Sequence, residues 1–449
     1  MNQPKFIRAL GLLDATFLVI GCIVGVGIFR TAGTIAGHVP SPTLILALWL
    51  FGGLLSLCGA LCYAELAAMF PKSGGDYVYI TKIYGPFWGF LFGWTKLFVE
   101  RTGTIAILGF VFAEYLGGVL GYGPAATRWV AAGAVILLTV VNVWGIRWGK
   151  YVQNTFTIVK VAALSAIVVV GLIAGRGQEP LWAAPSQLVL ALSLWQALGV
   201  ALIFVLWTYG GWTEATYVAE EVKDPQRNVP LAIIAGVLIT TALYVLVNAI
   251  YLRYVPMAEL PTTPLVASTM MQQAIGPLGA TLIGWMVASS AFGALNGYIL
   301  TGARILYALG QDHSLFRKLG QLSPRFHTPA TALWVNAGLA IVLIFTKTFE
   351  QIMTYSTVVI SVFFTMAVFG VIVLRRTQPT LARPYKAWGY PMTPLVFGLV
   401  MISFIVDVCV KQPAESVFGF GLLALGLPLY WASCAMNPAL PDKGGVKRV

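Results

Sequence analysis

The stretch IGCIVGVGIFR, residues 20–30, carries three glycines, Gly21, Gly25 and Gly27. A second cluster, Gly210 and Gly211, lies between aromatics in LWTYGGWTEATY, residues 206–217. Both stand inside apolar runs, where each glycine costs ~1 kcal/mol relative to alanine if the run is helical. A helix opened at such a point frees backbone N–H and C=O groups. In hydrocarbon these are costly unless protein or a water-filled cavity covers them. A ligand can then use them. Free N–H groups and the positive end of a half-helix attract a carboxylate, and free carbonyls attract an ammonium. The chemistry on offer is recognition of a zwitterion, not bond making. For Gly21 and Gly25 alone, a GxxxG packing face is an equal explanation. Gly27 does not belong to that face.

Ionisable groups inside apolar runs form the second set. Lys160, in TFTIVKVAAL, sits about ten residues into its run, ~15 Å deep at 1.5 Å per residue. A lysine there is a functional candidate, with a structural lysine bonded to carbonyls as the plainer alternative. Lys96 and Glu100 are four apart and can pair on one helix face. Glu214, just past the second glycine cluster, is a candidate proton carrier or a partner for Arg101. The histidines, His38, His313 and His327, are scattered in loops and suggest no metal site. The five cysteines lie in or beside apolar runs without metal-ligand spacing, and no cofactor motif is visible.

These residues need elements to position them. The chain has 449 residues, 58% hydrophobic and only 10% charged, against about 25% charged in ordinary soluble domains. About twelve apolar runs recur, near residues 12–35, 41–69, 86–116, 127–146, 152–175, 191–217, 229–252, 276–309, 330–347, 352–374, 392–410 and 416–435. Each approaches the ~20 residues needed to cross a bilayer as a helix. The reading is an all-α polytopic membrane protein. The first run has no small-residue cleavage site after it and reads as a span, not a signal peptide. With the N-terminus inside, 19 of the 28 Lys and Arg residues fall in cytoplasmic segments and six outside. That bias orients the chain with both termini cytoplasmic and accounts for the net charge of +12 without nucleic acid.

The two glycine clusters lie in the first and sixth spans. Five spans separate them, so the second unit runs in the opposite direction. Two interrupted helices related in this way are expected of secondary transporters with inverted repeats. Residues 1–175 then form the first repeat, 191–374 the second, 391–436 two trailing helices, and 437–449 a cytoplasmic tail. A channel would need rings of polar or charged pore residues. A membrane enzyme would need clustered catalytic groups. A sensor would normally bring a signalling domain. None of these features is visible.

Four stretches carry a resemblance. GCIVGVGIF resembles the first-helix motif of the amino acid–polyamine–organocation superfamily. YGGWTEATYVAEEVKDPQRNVP resembles its sixth helix and the loop that follows, and ELAAMFPKSGGDYVYI and RPYKAWGYP resemble two further loops. The nearest likeness is to the L-type amino acid transporter family in its prokaryotic stand-alone form. The resemblance implies a five-plus-five inverted repeat with helices 1 and 6 unwound, and amino-acid transport by alternating access in the plasma membrane, the inner membrane if the source is bacterial. Small to medium neutral substrates and sodium-independent exchange are expected. Proton-coupled uptake of amino acids or polyamines is the alternative. The family's carboxylate contacts fall on the backbone of Val24, Gly25, Val26 and Gly27. Its amino-group contacts fall on the carbonyls near Ile23 and of Trp207, Thr208 and Gly210, with Trp207 as the aromatic cap and Tyr209 a further substrate-binding candidate. Val26 departs from the pattern, since many members have a serine there. Lys160 falls where sodium-coupled relatives hold sodium, between helices 1, 5 and 8, and Ser289 and Ser290 of helix 8 could flank it. With Glu214 these are the gating and coupling candidates. Eukaryotic relatives are disulfide-linked to a heavy chain through the loop after helix 3. That loop, YLGGVLGYGPAATR, has no cysteine, so no such partner is expected.

Overall fold

A computed structural model of the chain describes residues 4–174, 181, 192–263, 265–346 and 349–436. The tail expected at 437–449 lies outside them, as do Arg176 and Lys347. The helices run α1 (Leu12–Ile23), α2 (Gly27–His38), α3 (Pro42–Met69), α4 (Asp76–Tyr84), α5 (Pro86–Thr95), a π-helical turn (Lys96–Glu100) and α6 (Arg101–Leu120). They continue as α7 (Pro124–Val143), α8 (Ile146–Ile173), α9 (Leu192–Thr208), α10 (Glu214–Tyr217), α11 (Pro225–Tyr254), α12 (Val266–Ile275) and α13 (Pro277–Asp312). The last are α14 (Ala330–Thr346), α15 (Phe349–Thr377), α16 (Met392–Lys411), α17 (Pro413–Ala424) and α18 (Gly426–Met436). Proline opens α3, α5, α7, α11, α13 and α17. At the first helical position its missing N–H costs nothing and its fixed φ favours the helix.

Among the described residues, nine helices or continuous helix runs are long and apolar enough to cross a membrane. The pair α1 and α2, bent by 42°, makes a tenth. The shorter apolar helices α9 and α14 fill the expected sixth and ninth positions. The sequence-derived spans thus find their helices, the first and sixth with the breaks expected of them and the twelfth with one that was not. The first span is two helices with a break between them. The sixth stops at Thr208 and resumes only as the single turn α10. The twelfth is divided into α17 and α18. The helices α4 and α12 and the π turn were not expected. In the π turn the Arg101 N–H reaches back five residues to the Lys96 carbonyl.

The halves of the two broken helices pack crosswise. α1 lies beside α10, and α2 beside α9. That is the arrangement of two interrupted helices running in opposite directions. α1 also packs on α8, α11 and α13, so side chains from three other helices surround its end. Small residues allow the close approach. A Cβ on Gly53 of α3 would lie 2.4 Å from the Thr241 side chain of α11, and one on Gly236 of α11 would lie 2.4 Å from Val19 of α1. Without a hydrophobic drive between helices in lipid, such backbone proximity is a main source of association.

Candidate functional site

The first break begins where α1 ends. Val24 still donates to the Ile20 carbonyl at 2.8 Å, but Gly25 turns back to the Ile23 carbonyl two residues away, also at 2.8 Å. α2 starts at Gly27. The amides of Val26 and Gly27 donate to no protein group among the described residues. They stand at the positive end of α2, as carboxylate recognition requires. The three glycines do different work. A Cβ on Gly21 would lie 2.1 Å from the Gln153 side chain, so the packing explanation holds for Gly21. A Cβ on Gly25 would meet nothing nearer than 3.9 Å, so its face is open. A Cβ on Gly27 would press on Thr208 of α9 at 2.9 Å, so Gly27 lets the two breaks touch. The Val26 side chain is buried, which leaves its backbone as the part that can meet a ligand.

Side chains from other helices hold this break open. Lys160 of α8 is fully buried and donates to the carbonyls of Gly21 at 2.7 Å and Val24 at 2.9 Å. Its charge thus sits at the negative end of α1, and no carboxylate lies within 4.0 Å of it among the described residues. Ser290 of α13 donates to the same Val24 carbonyl at 3.0 Å and lies 3.3 Å from that of Gly25. Its neighbour Ser289 is half-buried and makes no hydrogen bond to α1 among the described residues. Tyr244 of α11 was not anticipated. Its hydroxyl lies 3.0 Å from the Ile23 carbonyl and 3.3 Å from that of Thr208, one group spanning both breaks. Nothing in the surrounding apolar run marks it out, beyond the rule that a buried tyrosine needs a partner for its hydroxyl.

The second break is held by its own backbone. Gly210 donates to the Trp207 carbonyl at 3.1 Å, and Glu214 to the Gly211 carbonyl at 3.2 Å. Gly211 has φ +110°, and a Cβ there would lie 2.8 Å from the carbonyl carbon and oxygen of Cys22 in α1. The Gly210 carbonyl accepts no bond among the described residues. Of the residues of this segment expected to meet an amino group, Trp207, Thr208 and Gly210, the last two lie at the gap through their backbone. The Tyr209 ring turns away into the core, packing near Trp49 and Tyr244, with its hydroxyl on the Trp49 carbonyl at 3.0 Å. Any contact from Tyr209 to a ligand is therefore left to its backbone. Trp207 is 60% exposed and encloses nothing in this conformation.

Charged groups are buried between the breaks and the N-terminal face. Arg101 holds Glu214 in a two-pronged pair at 3.0 and 3.2 Å, and the Thr301 hydroxyl bonds the same carboxylate. Lys96 pairs with Glu100 at 3.0 Å, as the spacing suggested. Tyr217 bonds Asp76, and Arg304 clasps Glu221 at 2.9 Å with both side chains fully buried. Arg375 and Arg383 both reach Glu65. The N-terminal segment closes over them, with Leu10 N–H on the Glu221 carbonyl at 2.9 Å and Lys223 N–H on the Leu10 carbonyl at 2.8 Å. Buried pairs of this kind add little net stability, but breaking one leaves a costly lone charge. The paired side chains fill this face of the bundle, which is sealed in this conformation. On the opposite face a cleft of about 510 Å³ opens between α2, α6 and α13, lined by Arg30, Glu114, Tyr115, Thr281 and Gly284. Among the described residues no group of three His, Cys, Asp or Glu side chains could hold a metal ion.

Known proteins carry the same arrangement of sequence. Residues 10–431 match the amino acid permease family. The serine/threonine exchanger SteT of Bacillus subtilis (strain 168) is 32% identical over 429 residues, 94% of this chain and 96% of its own length. The human b(0,+)-type amino acid transporter 1 is 30% identical over 434 residues, 94% of this chain and 87% of its own. The human large neutral amino acids transporter small subunit 2 is 30% identical over 433 residues, 94% and 80% respectively. With two opposed broken helices and a match running through both, the chain belongs to the amino acid permease family.

Proposed function

We propose that the protein exchanges small to medium neutral L-amino acids across the bacterial inner membrane by alternating access, without sodium. The observation that carries this reading is the contact of the two breaks, through Gly27 on Thr208 and Gly211 on Cys22, the first leaving the Val26 and Gly27 amides unpaired and the second the Gly210 carbonyl open among the described residues. An α-carboxylate and an α-ammonium fit those two ends. Relatives named as a serine/threonine exchanger and as amino acid transporters support the substrate class. The excess of Lys and Arg in alternate loops supports cytoplasmic termini, so the sealed face is the inner one. Residues 1–175 and 191–374 are then the two repeats, with 391–436 trailing. Trp207 acts as the lid, swinging over substrate as the outer cleft closes. The absence of cysteine from the loop after α6 supports operation without a disulfide-linked heavy chain.

Sodium independence rests on Lys160. Its ammonium fills the Gly21 and Val24 carbonyls. A sodium ion at the same point would meet a repulsion of roughly 4 kcal/mol at 4 Å and an effective dielectric of 20. That is about three orders of magnitude in occupancy. Proton coupling is the second reading, favoured by a buried ammonium without a carboxylate that could release its proton when α1 moves. Purified protein in liposomes, tested with labelled amino acids with and without internal substrate, distinguishes them. Exchange predicts uptake only into loaded vesicles, unchanged when choline replaces sodium. Uptake into empty vesicles driven by a pH gradient would favour the second reading. Arrest by choline would overturn both.

A further inference from the structure

Outside the substrate site, four cations line one concavity of about 250 Å³ on the N-terminal face: Arg8, Arg147, Lys150 and Lys223. They come from three separate segments, namely the chain before α1, the first turns of α8, and the loop between α10 and α11. Lys150 is answered by Asp14 at 3.0 Å and also donates to the Ala9 carbonyl at 3.1 Å. Among the described residues, no carboxylate lies within 4.0 Å of Arg8, Arg147 or Lys223. Asp14 is committed further, accepting from the Gly11 amide and from Asn154. Three positive charges therefore share one hollow without an ion-pair partner among the described residues.

The surroundings say what kind of anion this hollow meets. Tyr151 lines it and is 59% exposed, Trp148 beside it is 60% exposed, and Trp144 just before α8 is 56% exposed. Exposed tryptophan and tyrosine at the end of a spanning helix mark the headgroup level of a bilayer. Basic pockets at that level, between spanning helices, suit lipid phosphates. The same three segments are joined on this face, the first and third through the Leu10–Glu221 and Lys223–Leu10 backbone bonds and α8 through Lys150 on the Ala9 carbonyl.

We propose that this hollow binds the phosphate of an anionic phospholipid, and that the bound headgroup ties the N-terminal segment to α8 and to the loop before α11. Arg8, Arg147 and Lys223 contact the phosphate, while Lys150, fixed by Asp14, backs the site. Because the three segments must part for the sealed face to open, an occupied site favours the closed seal. Free phosphate shares the recognition chemistry but lacks the acyl chains that hold a lipid at this depth.

The test uses the full chain in neutral detergent, with retained lipid read by native mass spectrometry and unfolding read as Tm. Phosphatidylglycerol is titrated against phosphatidylcholine, and inorganic phosphate is titrated separately. The expected result is retention of phosphatidylglycerol with a raised Tm, and no such effect from phosphatidylcholine or inorganic phosphate. R8Q/R147Q/K223Q should weaken retention by roughly a hundredfold, at about 1 kcal/mol per cation. R147Q alone, at an exposed position, gives a smaller loss in the same direction and stands in if the triple variant does not fold. The control R317Q/K318Q/R325Q removes three exposed cations elsewhere and should retain lipid as the wild type does. Equal retention of both lipids would overturn the proposal. So would an equal loss in the control, which would mean diffuse surface charge, and so would the full effect from inorganic phosphate, which would mean a soluble anion site. No transport is measured, so failure here leaves the exchange reading standing.

Discussion

The two helix breaks resemble each other in sequence and differ in how they are held. At the first, between α1 and α2, the freed carbonyls are taken by side chains from three other helices: Lys160, Ser290 and Tyr244. At the second, between α9 and α10, the chain bonds to itself, and Gly211 is wedged against the Cys22 carbonyl at a φ of +110°. A break braced by side chains can be loosened one bond at a time. A break set by backbone geometry yields only with the fold. The first is therefore suited to move during a cycle, and the second to serve as the reference against which it moves.

The largest expected effect follows from the second break. Gly211→Ala must hold a φ that L-residues resist, at a cost of about 1–3 kcal/mol, and must also push its Cβ into α1. Transport should be abolished, with lowered Tm and a poor size-exclusion profile. A variant that folds and transports normally would erase the contrast between the breaks.

Lys160→Ala comes next. It removes two charge-assisted bonds, each worth about 1.5–3 kcal/mol. The rate should fall by roughly a hundredfold while the protein stays folded in the membrane, because the helix around Lys160 is unaltered. Uptake at the wild-type rate would show that the brace is idle.

Tyr244→Phe sharpens the comparison, since this hydroxyl touches both breaks. Losing it should cost about 1 kcal/mol, seen as a roughly fivefold weaker apparent affinity with Tm nearly unchanged. The smallest effect is expected for Ser290→Ala, because Lys160 still bonds the Val24 carbonyl. A loss of about twofold in rate is expected alone, and a larger further loss in combination with Lys160→Ala, which leaves the Val24 carbonyl with no partner among the described residues. A double variant no worse than Lys160→Ala alone would show the serine bond to be idle.

Composition and periodicity were enough for the twelve spans, because crossing lipid demands ~20 apolar residues whatever the packing. Both breaks were legible because Gly27 falls off the GxxxG packing face and a second glycine cluster, Gly210 and Gly211, recurs five spans later. Lys160 stood out because a charge in hydrocarbon is rare. The spacing of Lys96 and Glu100 also carried through to a bond. The helix α4, by contrast, begins only at the end of a loop-like stretch, FPKSGGDY, and is too short to read as a span, and the π turn had no marker in its residues.

What the sequence by itself determined was therefore local and solvent-driven: which segments enter the membrane, where they are interrupted, and which buried groups need partners. Which partner each group takes was decided by tertiary structure. Glu214 read equally as a free proton carrier or an ion-pair partner until α6 brought Arg101 to 3.0 Å. Arg304 and Glu221, 83 residues apart, showed no sign of one another. Gly21 and Gly25 looked alike, yet one is buried on Gln153 and the other faces open space. Tyr209 and Trp207 stand two residues apart in one motif, and only packing sent the first ring into the core and left the second exposed. A chain's own residues set the cost of leaving lipid or water, but the identity of a contact depends on which helices meet, and that is a property of the whole bundle.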